Sequence, residues 1–505
     1  MAVTLADLAQ TLRDEGLLAE GPTGPDSARD ILITGADCNS RYAAPDHLFI
    51  CKGALFKDAY LSSAQERGAA AYLCDQEHAA QLAQVAPELP ALVVNDIRTA
   101  MNLVSDITWG HPDRLLTTVG ITGTKGKTTT TYLLRSILDD ADGTPRAAFM
   151  GSVETFDGIE RFESVNTTPE SPDLWRHVAN THKAGLPYLV MEVSSQALKY
   201  GRVAGLGFDV ACFLNIGSDH ISPIEHPTLE DYFQSKLRIF AQAEHAVVNL
   251  GSDRVDEILE AARCCKDVVT FSSDGPESGA DIWAQDSVAE GHGQRFFVHT
   301  PSWEAVVHLP LPGDFNVENA LCAIAVCELL SVSAQRVVDG LARASVPGRM
   351  EVIPSADGSI IGIVDFAHNQ MAFSRLFPAV REQFPGRRII SVFGAVGGKA
   401  VERREELPRE AARWSDHLIY TEDDPGQESV ADICAAMERA TPEGVSCETI
   451  LDREEAVRRA VELAREGGSD AVICLLCRGT EPTQHRGTRF VPVKLDTDLM
   501  REALS

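Results

Sequence analysis

The run Gly120-Ile-Thr-Gly-Thr-Lys-Gly-Lys-Thr-Thr129 combines glycines that let a backbone curl with lysines and threonines that bind charged oxygen. In such a loop successive N–H groups, here those of Gly123, Thr124, Lys125 and Gly126, face a polyphosphate, and the following helix adds the positive end of its dipole. Lys127 would neutralise the β- and γ-phosphates of ATP, and Thr128, followed by Thr129, would offer its hydroxyl to Mg2+. Ile121 occupies the first glycine position of the common G-x-x-x-x-G-K-[ST] pattern, so the glycines fall at 120, 123 and 126. The loop speaks for a bound triphosphate and is silent about the reaction.

A phosphate loop needs a strand before it and a helix after it. Leu116–Ile121 reads as the strand and Lys127–Leu138 as the helix. Around them the segment from Asp113 to about residue 345 alternates apolar runs with helical ones: Tyr188–Val193, Asp209–Leu214 and Ala246–Leu250 are near-continuous apolar strands. Such strands belong to a mostly parallel sheet covered on both faces. From Val346-Pro347-Gly348 the logic repeats, with strands expected at Ile360–Phe366, Arg388–Phe393, His417–Thr421 and Asp470–Leu476. Residues 1–112 hold shorter strands and helices, ending in a helix over Arg98–Trp109 and the breaker His111-Pro112. The expectation is an α/β chain of three domains, 1–112, 113–345 and 346–505. The first is a small α/β domain, the second a phosphate-loop domain and the third Rossmann-like.

Bulk properties narrow the function. A formal charge of −29 excludes nonspecific binding to nucleic acid, which needs a basic surface. No apolar run reaches the length of a membrane span, and the start Met1-Ala-Val-Thr-Leu-Ala-Asp-Leu has no signal-peptide pattern, so a cytoplasmic monomer is expected. The twelve cysteines then read as free thiols. Cys474 and Cys477 fall in one apolar run, where a strand would turn them to opposite faces.

The form G-I-T-G-T-K-G-K-T-T resembles the loop of the Mur ligases, which build the peptidoglycan stem peptide. Further matches follow in family order over nearly the whole chain. They are Asn39-Ser-Arg41 with Asp46–Gly53, Asn166-Thr-Thr-Pro169, Met191-Glu-Val-Ser-Ser195, Asn215–His220, Tyr232–Lys236, Gly313–Asn319, Pro347-Gly-Arg349 and Asp365–His368. The N-T-T-P and M-E-V-S-S blocks resemble the MurE branch, the UDP-N-acetylmuramoyl-tripeptide synthetases. That likeness implies an ATP-dependent ligase adding a diamino acid to UDP-MurNAc-L-Ala-D-Glu. A carboxylate is a poor electrophile; ATP would first convert it to an acyl phosphate, which the amine then attacks.

The resemblance assigns roles residue by residue. Thr128 and Glu192 would hold one Mg2+, and His220 with Lys236, carbamylated by carbon dioxide, a second. A carbamate turns a repelling ammonium into an oxygen ligand. Asn316 and Asn319 would lie against the base, Arg349 would reach the phosphates and Asp365 the ribose. Ser40 and Arg41 would contact the uridine diphosphate end of the substrate, and Thr167, Thr168, Ser194 and Arg202 the rest of it. At the amino-acid end the pattern departs from the family. Asp423-Asp424-Pro425-Gly426 stands where diaminopimelate-adding members show D-N-P-R, and a glycine cannot grip a distal carboxylate. Asp424 would instead suit a cationic amine, which favours L-lysine, with ornithine and meso-diaminopimelate as the alternatives. Arg403 or Arg404 would hold the α-carboxylate, and Glu481, in Cys477-Arg-Gly-Thr-Glu481 where G-K-G-H-E is usual, an amine. Two rival readings are a folylpolyglutamate-synthetase-like ligase, which would lack the UDP-sugar module, and a noncatalytic homologue, which would have lost Lys127 or Glu192.

Overall fold

The apolar runs form the inner strands of parallel sheets. The structure, a computed structural model, describes residues 3–23, 26–53, 56–217, 225–468 and 470–505. Its contacts separate into two compact units, one of residues 1–127 with 138–270 and one of residues 128–137 with 271–505.

The first unit carries two large sheets and the short antiparallel pair Val3–Thr4 with Leu32–Ile33. Five strands lie in the spatial order Leu18–Glu20, Ala91–Val94, Ala71–Asp75, His47–Ile50 and Gly35–Asp37, parallel except for the first. The helix Ile97–Trp109 packs behind them; Asp96 caps its start and Gly110, left-handed at φ 74°, ends it. In the other sheet the strand Thr117–Thr122 lies between Tyr188–Glu192 and Phe208–Phe213, parallel to both. Ala147–Met150 and Ala243–Asn249 extend the parallel set outward. Strands buried on both faces have no need of alternation, which is why these segments read as unbroken apolar runs. The fit is tight: a Cβ at Gly120 would stand 2.8 Å from the Phe208 ring.

In the second unit, residues 128–137 of the helix Lys127–Leu138 pack on the helix Ala334–Ala342. Gly340 permits this approach, since a Cβ there would stand 2.5 Å from the Ile137 Cα; Ser136 Oγ donates to the Gly340 carbonyl at 2.7 Å. Three antiparallel strands, Ile282–Glu290, Gly293–His299 and Glu304–Leu309, form a meander. A six-stranded sheet follows, in the order Glu351–Pro354, Ile360–Val364, Ala471–Leu475, Arg388–Phe393, His417–Tyr420 and Cys447–Thr449. Only its first strand is antiparallel. Separate apolar clusters cover its two faces, the doubly wound arrangement expected. No helix among the described residues is long and apolar enough to cross a membrane.

Two local expectations change. Cys477 lies beyond the strand Ala471–Leu475, in a left-handed conformation at φ 83°, and its Sγ faces the Gly394 carbonyl at 3.5 Å. Its direction is therefore set by that turn and not by strand alternation. Cys474 and Cys477 are both free, as are the other cysteines. Beyond the sheet, Thr483–Arg486 and Arg489–Pro492 form a hairpin that the sequence pattern did not announce.

Candidate active site

The strand Thr117–Thr122 delivers the glycine loop to the carboxyl edge of its sheet, where open α/β folds place their ligands. Gly123 and Gly126 take positive φ, 152° and 92°. At Gly123 a Cβ would stand 2.9 Å from that of Leu214. Asn215 holds the loop's shape. Its carbonyl accepts from the Thr124 N–H at 3.0 Å, its Oδ1 from the Lys125 N–H at 2.9 Å, and its Nδ2 donates to the Lys125 carbonyl at 3.1 Å. Thr124 Oγ1 accepts from the Gly217 N–H at 3.0 Å and from the Tyr232 hydroxyl at 3.3 Å.

Two ammonium groups converge on this loop. Lys127 Nζ donates to the Gly123 carbonyl at 2.8 Å, and Lys236 Nζ donates to the same oxygen at 2.8 Å. Lys236 is 1% exposed, with its Nζ 4.5 Å from the Tyr232 ring centroid. A lysine is almost never buried without a task for its charge. Lys236 sits on the helix Leu229–Leu237, whose start Thr228 caps. Just upstream, the buried His226 links Ser195 Oγ, 2.9 Å from Nε2, to Asp231, 2.6 Å from Nδ1. His220 lies outside the described residues. Thr128 and Thr129 are buried in the first turn of their helix.

Glu192 ends the neighbouring strand and is 2% exposed. Its Oε1 accepts from the Ser152 N–H at 2.9 Å and hydroxyl at 3.3 Å; Oε2 accepts no hydrogen bond among the described residues. Gly151 makes this approach possible, because a Cβ there would overlap Oε1. The backbone of Glu192 also gathers the two motifs read from the sequence. Thr168 Oγ1 donates to the Glu192 carbonyl at 2.9 Å and accepts from the Ser194 N–H at 3.0 Å. Arg202 donates to the Thr168 carbonyl at 3.3 Å and pairs with Glu170 at 2.9 Å. Lys52, from the first sheet's region, pairs with the other Glu170 oxygen at 2.5 Å. Burial alone would raise the Glu170 carboxyl; the charges of Lys52 and Arg202 outweigh it and hold it below its ordinary value. Thr167 is half-buried beside this group. Ser40 is half-buried and Arg41 exposed on the Asn39 turn, where Asn39 Oδ1 accepts the Arg41 N–H at 3.1 Å.

The remaining candidates lie in the second unit. Asn316 and Asn319 are buried on one helix, joined by a 3.1 Å hydrogen bond. The Arg349 guanidinium lies 4.5 Å from the Phe366 ring centroid, and the Asp365 carboxylate accepts the N–H groups of Met350 at 2.7 Å and Ala367 at 2.6 Å. At the carboxyl edge of the six-stranded sheet stand Glu422, Asp423 and Asp424, Gly394, Cys477 and Arg478. Asp423 is buried, and that burial pushes its carboxyl up, to about 6, against the lowering charges of Arg453 and Arg478. The Glu481 side chain keeps an exposed edge, yet crowding of its carboxyl by protein, together with Asp423 and Asp424, raises it to about 8. Arg404 is occupied by Glu428 at 2.9 Å, whereas the Arg403 side chain has no hydrogen bond or ion pair among the described residues. Asp424, expected to suit a cationic amine, accepts the His485 N–H at 2.6 Å through Oδ1.

The sequence reading gave no task to Asn215, Ser152, Glu170, Lys52, His226 or Tyr232. Lys52, Asn215 and Tyr232 lay within quoted motifs; Ser152, Glu170 and His226 carried no local signal. One further group of ligand-type residues, Asp157, Glu160 and His177, is already internally satisfied. Asp157 accepts from His177, Asn180 and two backbone N–H groups, and Arg176 pairs with Glu160.

A glycine loop at the carboxyl edge of a parallel sheet, two converging lysines and a buried carboxylate at the next strand end define a nucleotide-dependent α/β enzyme. Residues 121–327 match the Mur ligase middle domain, and residues 348–476 the Mur ligase glutamate ligase domain. The chain is 35% identical to the UDP-N-acetylmuramoyl-L-alanyl-D-glutamate–L-lysine ligase of Enterococcus faecalis, over 95% of each chain. It is 37% identical to a UDP-N-acetylmuramyl-tripeptide synthetase of Bifidobacterium longum, over 92% of each. Among solved structures, a UDP-N-acetylmuramoyl-L-alanyl-D-glutamate–2,6-diaminopimelate ligase shares the fold at a TM-score of 0.65, with 24% identity, covering 100% of this chain and 99% of that one. A Thermotoga maritima MurF ligase in complex with ADP also reaches 0.65, at 18% identity, covering 93% of this chain and 97% of that one. The chain belongs to the Mur ligase family of ATP-dependent ligases.

Proposed function

We propose that this ligase joins L-lysine to the D-Glu carboxylate of UDP-MurNAc-L-Ala-D-Glu, with ATP cleaved to ADP and phosphate, in cytoplasmic peptidoglycan precursor synthesis. The observation that carries the choice of amine is the acidic edge of the six-stranded sheet. Asp423, Asp424 and Glu481 gather there, and position 426 is a glycine with no cation to offer a distal carboxylate. The name of the E. faecalis relative supports the same choice. Arg403 is the better candidate for the α-carboxylate, because Arg404 is already paired.

For the nucleotide, the loop amides of 123–126 and Lys127 hold the phosphates, and Asn316, Asn319, Arg349 and Asp365 serve the rest of ATP. Ser40, Arg41, Thr167, Thr168, Ser194 and Arg202 hold the UDP-sugar peptide. The oxygen donors of Thr128 and Glu192 fit Mg2+, with Glu192 Oε2 open to a ligand; the ion, when bound, neutralises charge on the phosphoryl oxygens. A second Mg2+ would be held by His220 and a carbamate on Lys236, for which the Lys127 ammonium, aimed at the same Gly123 carbonyl, is a suitable counter-charge. In a division into the domains 1–112, 113–345 and 346–505, the UDP-sugar residues fall in the first two, the nucleotide residues in the last two and the amino-acid residues in the third. The test is phosphate release from ATP with Mg2+ and UDP-MurNAc-L-Ala-D-Glu, across L-lysine, L-ornithine and meso-diaminopimelate. L-Lysine should give the highest kcat/KM. Faster turnover with meso-diaminopimelate overturns the choice of amine, and no release with any of them overturns the ligase reading.

A further inference from the structure

The hairpin Thr483–Arg486/Arg489–Pro492 lies beyond the sheet and beyond every motif discussed so far, yet it is wired into the acidic turn. Gly426 N–H donates to the His485 carbonyl at 2.8 Å, Gly487 N–H donates to the Gly426 carbonyl at 2.7 Å, and His485 N–H donates to Asp424 Oδ1 at 2.6 Å. Turn and hairpin thus share a short parallel bridge between Gly426 and Arg486. Side chains reinforce it. Arg486 grips Glu422 with both ends of its fork, Nε to Oε1 at 2.7 Å and Nη2 to Oε2 at 2.6 Å. The Gln484 amide, oriented with its nitrogen inward, donates to both Glu422 oxygens at 3.1 and 3.0 Å. Glu422 is only 7% exposed, so this bidentate pair satisfies a carboxylate that water barely reaches.

The turn is tied on its other flank as well. Gly397 N–H donates to the Asp424 carbonyl at 3.1 Å, and any side chain at 397 would overlap the Pro425 carbonyl. Gly398 N–H and Arg404 both hold Glu428. Between these two anchors Asp424 adopts φ 39°, a left-handed conformation that costs a non-glycine residue energy and persists only where surroundings impose it.

We propose that Arg486 is a specificity-determining positioning residue. By neutralising and holding Glu422, it fixes the Asp423-Asp424-Pro425-Gly426 turn in the shape that admits an amino acid with a cationic side chain. The inference rests on reading that turn as the amino-acid site. Arg486 itself touches no reacting atom. Without it, Glu422 becomes an unneutralised carboxylate next to Asp423, and of the hairpin's side-chain hold on the turn only the neutral Gln484 amide remains.

The test is steady-state kinetics of the full chain with the diamino acid it uses fastest, varying each substrate in turn. Arg486→Ala should raise KM for the diamino acid about tenfold and lower the melting temperature, because Glu422 is buried, while KM for ATP and for the UDP-linked dipeptide stay as in the wild type. Arg486→Lys, which keeps the charge without the fork, should fall between the two. Adding Glu422→Gln to Arg486→Ala should recover most of the loss, because the carboxylate left unpaired is then gone. An unchanged diamino-acid KM in Arg486→Ala overturns the proposal, as does an equal rise in KM for ATP. If the wild type prefers a diamino acid other than lysine, only the choice of lysine falls, since the Arg486 comparison is made with whichever substrate is used.

Discussion

Lys127 and Lys236, more than a hundred residues apart in sequence, direct their ammonium groups at one oxygen, the Gly123 carbonyl, each at 2.8 Å. Two like charges are brought together only where an anion or a chemical change offsets their repulsion. In the proposed reaction the phosphates answer Lys127, and carbamylation removes the charge of Lys236.

Lys236→Ala should therefore lower kcat on the order of 100-fold or more, the scale of losing one preorganised charge contact. Short carboxylates such as acetate should restore part of it by standing in for the carbamate oxygens. Phosphate release with and without acetate measures this, and undiminished activity of the variant without acetate removes Lys236 from the site.

Gly151→Ala addresses Glu192 without altering its chemistry. A methyl group at 151 overlaps Glu192 Oε1, so the carboxylate must shift. The Mg2+ concentration for half-maximal activity should rise several-fold, and overpacking should cost about 1–3 kcal/mol of stability. A magnesium titration and a urea melt read the two effects separately. An unaltered magnesium curve would show that Glu192 Oε1 can move without consequence for the metal.

The acidic edge predicts a pH signature. Glu481 is raised from 4.5 to about 8 and Asp423 from 3.8 to about 6. Each folded-state carboxyl holds its proton more tightly than the unfolded chain does. Their stabilising contribution is full below the unfolded values and is lost as pH rises through the folded ones, over roughly 3.8 to 6 for Asp423 and 4.5 to 8 for Glu481. Glutamine mimics the protonated carboxyl at every pH, so the melting temperatures of wild type and Glu481→Gln should lie close together toward pH 5 and separate toward pH 8, with the wild type falling below the variant. Saturating L-lysine, whose side-chain ammonium favours the ionised carboxylate, should flatten the wild-type curve. A Glu481→Gln profile parallel to wild type throughout would sink this account.

Deeper in the same unit, Arg453 meets Asp496 through two hydrogen bonds of 2.8 and 2.6 Å, at 4% and 0% side-chain exposure, and also donates to the Leu476 carbonyl at 2.7 Å. Arg453→Ala leaves the buried Asp496 carboxylate only the longer contact to Arg478 at 3.6 Å and should cost about 3–5 kcal/mol. Arg453→Ala combined with Asp496→Asn should recover part of that loss in chemical denaturation. Failure to recover any would assign the cost to the lost backbone contacts.

Much of the fold was legible because parallel strands buried on both faces read as apolar runs. Arg388–Phe393 is found where expected, and Thr117–Thr122 is displaced by one residue. Ile282–Glu290 escaped notice because it alternates buried and exposed positions, with no apolar run to mark it. The hairpin after Glu481 was missed for a related reason, since its strands are short and mostly open to solvent. At the site, the loop lysines and Glu192 could be read from local motifs. Lys52 on Glu170 spans 118 positions and Tyr232 on Thr124 spans 108, and no local pattern records a meeting across such distances. The His485 N–H on Asp424 was not legible either, because it comes from a backbone group on an element not foreseen.

Since the turn 423–426 is fastened by main-chain hydrogen bonds on both flanks, it does not behave as an interchangeable cassette. Transplanting the D-N-P-R sequence into this scaffold would place an arginine where Gly426 now bridges to the hairpin at φ 58°. A successful graft would have to carry the Gly397 loop and the hairpin along with it, because the three separate stretches of chain are joined into one structural unit.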